Sequence, residues 1–469
     1  MATNQSPVMK HAESTDGTRS HKDYTVRSVN LLSGGIGNTI DLKHMMVELS
    51  YFEDIYSHAA SGKLLISDAV GVIEKAQLHG NEYIRISFGK DSDDSADLYI
   101  DKLFRVYKID ARSKMDNDQA EVYTIHFCSD ELLLSSQSRV SKSYPNSTIK
   151  SIITDVLVNY LKVPSDKYND DNIEQTLGTY SLIVPNFSPF EAIQWLTTYA
   201  RPMVGQGSDM LFFENAKQGY VLASMQTLFK QNPFCTFSFG AKNQPTESYD
   251  NLNDYYFNVQ SYTYDKNFDV MKGIHNGTFA NRLISLDIMQ HVVNITDYNY
   301  NTSSANSSTL NKNTVVNNLS NRFGNALYET PDSLLRLSIS NSNQYDNPFI
   351  AQNPGSVQPD AFIEDYLTNR KSQLAMNNYT RLKLVVAGNP TLSVGTTVIF
   401  NINSNTPDTQ KEYDKFYSGK YLISAIRHTI QNGGYNTVLE LIKDSNNKPY
   451  NNVDNTAQIW KNTVAGVKK

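Results

Sequence analysis

Apolar and polar residues alternate with a period of two along several stretches of the N-terminal third. Tyr123, Ile125 and Phe127 fall on one side of a run in which Val122, Thr124 and His126 fall on the other. Similar runs lie at Met45–Ile55, Gly62–Ser67, Tyr83–Phe88 and Leu98–Ile109, separated by polar turns. Strands at this spacing predict a barrel or sandwich, assigned to residues 26–143. The period then changes. Ser147 precedes Ile149, Ile152, Ile153, Val156, Leu157 and Tyr160, a helical stripe with serine in the N-cap position. A second helix opens on Ser188 as cap, with Pro189 at the first helical position and Glu191 three residues after the cap; Pro202 stops it. With the hairpin Met210–Phe213 and Gly219–Ala223, residues 144–235 form a small α/β unit.

Strands return between Phe234 and Phe268, then give way to an Asn/Ser/Thr-rich tract at 297–321, expected to be a mobile loop. A helix Phe362–Met376 leads back to strands. These are Thr380–Val386, then Thr396–Phe400 after the turn Gly388-Asn-Pro390 and Leu392-Ser-Val-Gly395, then Gly419–His428, and Asn436–Ile442 after Gln431-Asn-Gly-Gly434. The simplest division is a second β unit of residues 236–270 plus 362–445, split by an insertion at 271–361. A flexible arm at 1–25 and a polar tail at 446–469 flank these units. The expected fold class is therefore α+β, mainly β.

Composition supports this reading. At 469 residues, two to four domains are expected. Twenty-nine Tyr and 20 Phe suit half-buried pleated faces. A net charge of −6 excludes a global basic field for nucleic acid. Two cysteines, Cys128 and Cys235, exclude a disulfide framework and fit a reducing compartment. No apolar run approaches the roughly 18 residues needed to cross a bilayer as a helix, and residues 1–22 lack a signal-peptide core. A soluble protein made inside the cell is expected.

Candidate chemistry is thin. His275 and His291 stand alone, without H-E-x-x-H or C-x-x-C spacing. Asp91–Asp97 imitates a calcium loop, but Ala96 takes the place of its glycine and Lys102 that of its closing glutamate. Gly34-Gly-Ile-Gly37 lacks the third glycine of a dinucleotide fingerprint. Acid pairs such as Glu53/Asp54 and Glu364/Asp365 are ordinary among 48 acidic residues, and His428 reads as a packing residue. No catalytic residue, cofactor site or metal site is expected.

The order of elements from Phe362 to Asp444 (helix, G-x-P turn, L-x-x-G, a G-x-Y strand ending in histidine, a glycine-rich turn and a closing strand) resembles the second barrel of baseplate hub proteins, the central ring proteins of contractile-tailed bacteriophages of the T-even type. Tyr51-Phe-Glu-Asp-Ile55, Gly62-Lys-Leu-Leu-Ile-Ser-Asp68 and Leu78–Ile86 resemble their first barrel. The helix Pro189–Ala200 and the hairpin after it are similar to the unit these hubs place between the barrels, and type VI secretion spikes carry a related ring module. The resemblance implies two tube-like antiparallel β-barrels per chain and three chains per ring. Such a ring joins a six-fold tail tube to a three-fold central spike and makes no use of catalysis. Implied partners are further copies of the chain, the tube or tube-initiator protein, the spike, baseplate wedge proteins, and DNA or tape-measure protein passing through the channel without specific binding. Assembly in the host cytoplasm and residence in the virion baseplate follow. Gly62, Gly80, Gly388, Gly395 and Gly419 are candidate structural turns. Trp460, with Val464 and Val467, marks a tail segment for docking. The arm, the Asn-rich insertion and the tail depart from the family pattern, which leaves their contacts open. Two other readings compete: a virion-surface protein binding glycan or receptor, and a cell-wall hydrolase.

Overall fold

A computed structural model of the chain describes residues 24–33, 39–90, 98–114, 120–203, 207–239, 257–288, 291–304, 307–314, 319–340, 356–357, 363–404, 413–431 and 433–448. The first unit contains β1 (Thr25–Leu32), β2 (Thr39–Asp41), β3 (Met46–Asp54), β4 (Ser61–Asp68), β5 (Tyr83–Gly89), β6 (Tyr99–Lys114) and β7 (Glu121–Cys128). They pair antiparallel in the order β3-β4-β7-β6-β5-β1-β2. The period-two pattern decides the faces: Leu64 and Ile66 of β4 point inward beside Ile125 and Tyr123 of β7, and all four are buried. Asp68 ends β4 and starts the expected helical turn. Its carboxylate accepts the backbone N–H groups of Val70, Gly71 and Val72 at 2.6–2.8 Å, and the hydroxyl of Tyr123 at 3.1 Å.

The middle unit holds β8 (Val140–Ser147), β9 (Thr179–Phe187), β10 (Met210–Asn215) and β11 (Gly219–Ser224). Helix Ile149–Asp155 continues as a π turn through Tyr160, and a second helix spans Pro189–Tyr199. The capping box at Ser188 is present, with the Ser188 N–H donated to Glu191 Oε2 at 2.9 Å. The first cap differs from expectation. Thr148, not Ser147, receives the Ser151 N–H, because Ser147 still belongs to β8 and its hydroxyl is donated to Pro145 O. The expected boundary at 143/144 falls inside β8, which pairs with β9.

The second unit and its insertion comprise β12 (Thr236–Phe239), β13 (Val259–Lys266), β14 (Ala280–Asp287), β15 (Val292–Asn299), β16 (Asn313–Thr314), β17 (Leu335–Ser340), β18 (Ser356–Val357), β19 (Thr380–Ala387), β20 (Thr397–Ile402), β21 (Gly419–Gln431), β22 (Gly434–Lys443) and β23 (Ser445–Asn446). Strands β13-β19-β22-β21-β20-β12 make the second β unit around Leu382, Leu384, Phe400, Tyr421 and Leu439. The two β units thus give the mainly β, α+β fold expected. The insertion builds its own sheet, β15-β14-β17. Helix Ile363–Asn377 covers that sheet, placing Ile363 and Tyr366 on Leu283, and Met376 on Phe279, Tyr298 and Tyr300.

The described part of the Asn-rich tract is built into the fold rather than forming a free loop. Its described residues 307–314 lie against the second β unit, with Leu310 and Asn311 buried. Asn311 behaves like a peptide unit on the sheet edge. Its Oδ1 accepts the Lys420 N–H, and its Nδ2 donates to Lys420 O and Ser445 O, all at 3.0 Å. Strand β16 then pairs with β23. Composition alone reads as loop here because asparagine satisfies backbone groups without any apolar periodicity. Residues 1–23 of the arm, the Asp91–Asp97 and Gly34–Gly37 segments and Trp460 lie outside the described residues, while Thr25 at the end of the arm opens β1.

Candidate assembly joint

The two β units are not separate bodies on a linker. Strand β21 of the second pairs antiparallel with β3 of the first from Ala425↔Asp54 to Gln431↔Glu48, fusing both into one sheet of 13 strands. One face of this joint is core. Leu49, Tyr51 and Glu53 lie beside Ile430, His428 and Ile426, all buried. Tyr51 and His428 stack with centroids 6.0 Å apart. His428 Nδ1 sits 2.8 Å from Tyr435 Oη and 3.3 Å from Thr437 Oγ1. Burial, aided by the nearby positive charge of Lys217, pulls the imidazole down to about 3. His428 is therefore a neutral packing residue, as its position in the strand implied.

The other face carries charges of both signs in cross-strand pairs. Glu48 takes Arg427 at 3.1 Å across the joint and Lys63 of the neighbouring β4 at 3.4 Å, and further out Arg85 meets Asp101 (2.9 Å) and Lys383 meets Asp265 (2.6 Å). Pairs this exposed add little stability each. Their consequence is a face on which each of these cations lies beside a carboxylate, with Glu48 shared by two of them.

Glu53 is the unusual member of the core face. Burial pushes its carboxyl up to about 7, against backbone N–H donors from Val394 and Ala216 and the Tyr51 hydroxyl, which favour the charged form. The sign follows directly. Between the ordinary glutamate value of about 4.5 and about 7 the folded state holds a proton that the unfolded chain releases, so stability falls as pH rises through this window. Glu53→Gln should therefore match the parent near pH 4.5 and exceed it by about 3 kcal/mol at pH 8. His428 is common to both proteins and cancels in the difference. Urea denaturation across that range checks this, and a constant difference between the two proteins would refute it.

The hairpin β10–β11 locks the joint from the middle unit. Glu214 Oε2 accepts the Ala60 N–H (2.8 Å) and the Ser129 hydroxyl (2.5 Å) of the first β unit. Asn215 Nδ2 donates to Val394 O (2.8 Å) of the second, and Lys217 Nζ to Tyr99 O (3.2 Å) of the first. Behind Glu214, Lys167 reaches Glu131 at 2.9 Å and Glu214 at 3.5 Å, all three buried. Sequence reading missed this triad. The available signal was a glutamate following Phe212-Phe213 inside a short apolar strand, where a charge needs a partner.

The glycines divide by geometry. Gly395 (φ +79°) lies in the turn entering β20, against Phe213 of the hairpin. Gly80 (φ +93°) is an open turn whose N–H reaches Glu82, and Gly419 starts β21 beside Asn311. Gly388 follows β19 and leaves room for the Tyr435 ring. Gly62 is not at a turn. It lies within β4, opposite Tyr51 and Phe127, where an added Cβ would stand 2.3 Å from Phe127 Cζ. The aromatic rings demand close backbone approach there. No cluster of three or more metal-ligating side chains occurs among the described residues, and His275 and His291 are not brought together into one.

No family model matches the chain. It is 20% identical over 416 residues to the probable baseplate hub protein gp334 of Vibrio phage KVP40, covering 88% of this chain and 92% of that protein. This chain resembles phage baseplate hub proteins. The match covers most of both β units and the unit between them, in agreement with the order of motifs read from the residues. Among solved structures, the hub-like chain is similar to a tail protein from Neisseria meningitidis MC58 (11% identity, TM-score 0.49, covering 90% of this chain and 97% of that one). It is also similar to the 43 kDa tail protein of prophage MuSo2 from Shewanella oneidensis (9% identity, TM-score 0.49, covering 89% and 97%).

Proposed function

We propose that this chain is the central hub of a contractile-tail baseplate, three copies closing into a ring of six β units. The observation that carries this reading is the β21–β3 joint. It sets two β units side by side in one chain and continues the sheet across them, so a three-fold arrangement of chains presents a pseudo-six-fold face. One face of the ring matches a six-fold tail tube, and the other seats a three-fold central spike. The ring lies in the virion baseplate after assembly in the host cytoplasm, beside wedge proteins.

The channel wall is the charge-paired face of the sheet. Cations on this face are engaged by carboxylates, Glu48 lying between Lys63 and Arg427, which weakens their hold on a phosphate chain, so DNA or an extended tape-measure protein passes without specific binding. Electron microscopy of the purified chain, alone and with its cognate spike protein, tests the ring. Three-fold particles with pseudo-six-fold end views are expected. Single compact particles under both conditions would overturn the proposal.

A further inference from the structure

Among the described residues, the insertion sheet β15-β14-β17 is covered on one face only. Its inner face holds Leu283 against the helix Ile363–Asn377. On the outer face the register aligns Ile284 with Ile295 and Leu337, and Leu286 with Val293 and Ile339. Those six form a continuous aliphatic block. Leu337 is 77% exposed, Ile295 63% and Ile339 62%. Single exposed aliphatics are normal on a protein surface, but a contiguous block across three strands marks a covered face.

The chain itself supplies a cover of matching chemistry. Ala457, Trp460, Val464 and Val467 recur at the 3-4-3 spacing that aligns side chains along one helical face. Lys461, Asn462 and Thr463 fall between them. The path also fits. The last described strand, β23, pairs with β16 of the insertion, and Asn313 Nδ2 donates to Asn447 O at 2.8 Å. The tail is therefore delivered to the same insertion that bears the apolar face. Eight residues lie between Lys448 and Ala457, nine Cα–Cα steps that reach about 30 Å when extended. A tether this short holds the segment near its own face at an effective concentration in the millimolar range.

We propose that residues 457–467 dock on the outer face of the β14 sheet of their own chain, Trp460 being the anchor. The covered face then becomes a helix-capped surface on the periphery of the insertion, with the polar side of the tail turned outward.

Fluorescence of the full chain tests this. The chain has two tryptophans, Trp195 and Trp460, and Trp195→Phe is mild because that ring is only partly buried, packing on Phe187 and Tyr199. In the Trp195→Phe protein, Trp460 emission should be blue-shifted, protected from iodide and unchanged on ~100-fold dilution. Leu337→Glu, at an exposed position, and Val464→Glu, on the tail, should each red-shift it and raise quenching several-fold, with circular dichroism confirming the fold. Water-like emission in the parent, insensitivity to both substitutions, or loss of the blue shift on dilution would each overturn the proposal. The last result would assign the face to a second copy.

Discussion

Gly395→Val should destabilise the protein by about 3–5 kcal/mol, the sum of a backbone and a packing effect. The backbone term arises because φ is +79°, a conformation β-branched residues scarcely adopt. The packing term arises because an added Cβ would stand 2.8 Å from Phe213 Cζ. Phe213 is buried in the hairpin that locks the joint, and Gly395 is held on both sides, its N–H donated to Ile423 O (3.0 Å) and its carbonyl accepting from Gln231 Nε2 (3.2 Å). Neither partner retreats easily. Gly71 separates the two terms, since it has nearly the same φ (+75°) with nothing within 4 Å. Gly71→Ala should cost only about 1–2 kcal/mol, and Gly395→Ala distinctly more. Phe213→Leu should relieve part of the Gly395→Ala loss but none of the Gly71→Ala loss. Urea unfolding of the parent, the single variants and the two Phe213→Leu double variants measures this, and equal losses at Gly71 and Gly395 would remove the packing argument.

Much of the local structure was legible because local rules decide it. Alternation at Tyr123, Ile125 and Phe127 told which face is core, and Ser188, Pro189 and Glu191 located a helix start to the residue. The joint was not legible. Residues such as Tyr51 and His428 lie far apart in the chain, and a period of two tells which way a side chain points without naming the neighbouring strand. The same limit placed helix Ile363–Asn377 with the second β unit, although its apolar side meets Leu283 and Phe279 of the insertion. Gly62 was read as a turn because glycine punctuates loops; here the side chains of Tyr51 and Phe127 set its role. The tract at 297–321 failed for a different reason. At residues 307–314 the contacts rest largely on side-chain amides, with Asn311 standing in for a strand, and amide bonding leaves no hydropathy pattern.

Lys167→Ala should cost about 3–5 kcal/mol, because it strands two buried carboxylates rather than because the ion pairs themselves are strong. Burial alone would pull the Lys167 ammonium down, yet Glu214 and Glu131 together hold its pKa above the ordinary lysine value. Glu131 comes from the helix Asp130–Gln137, Glu214 from β10 and Lys167 from the loop between the middle-unit helices. Removing the cation leaves both carboxylates beside each other with water excluded. Glu214 cannot swing out, since Ala60 N–H and the Ser129 hydroxyl hold it against the first β unit. The combined variant Lys167→Met, Glu131→Gln, Glu214→Gln keeps the volume, the amide oxygens and the Ala60 contact while removing every charge. It should recover most of the loss, to within about 1–2 kcal/mol of the parent. A combined variant as unstable as Lys167→Ala would mean that the triad acts through attraction between its charges, and that the clasp between the middle unit and the first β unit is electrostatic. Recovery would mean that shape and hydrogen bonding hold this junction, with the charges serving chiefly to admit one arrangement of hairpin, helix and loop. On that account the triad sets the position of β10, and through Asn215 and Phe213 the position of β10 sets the angle at which the two β units meet.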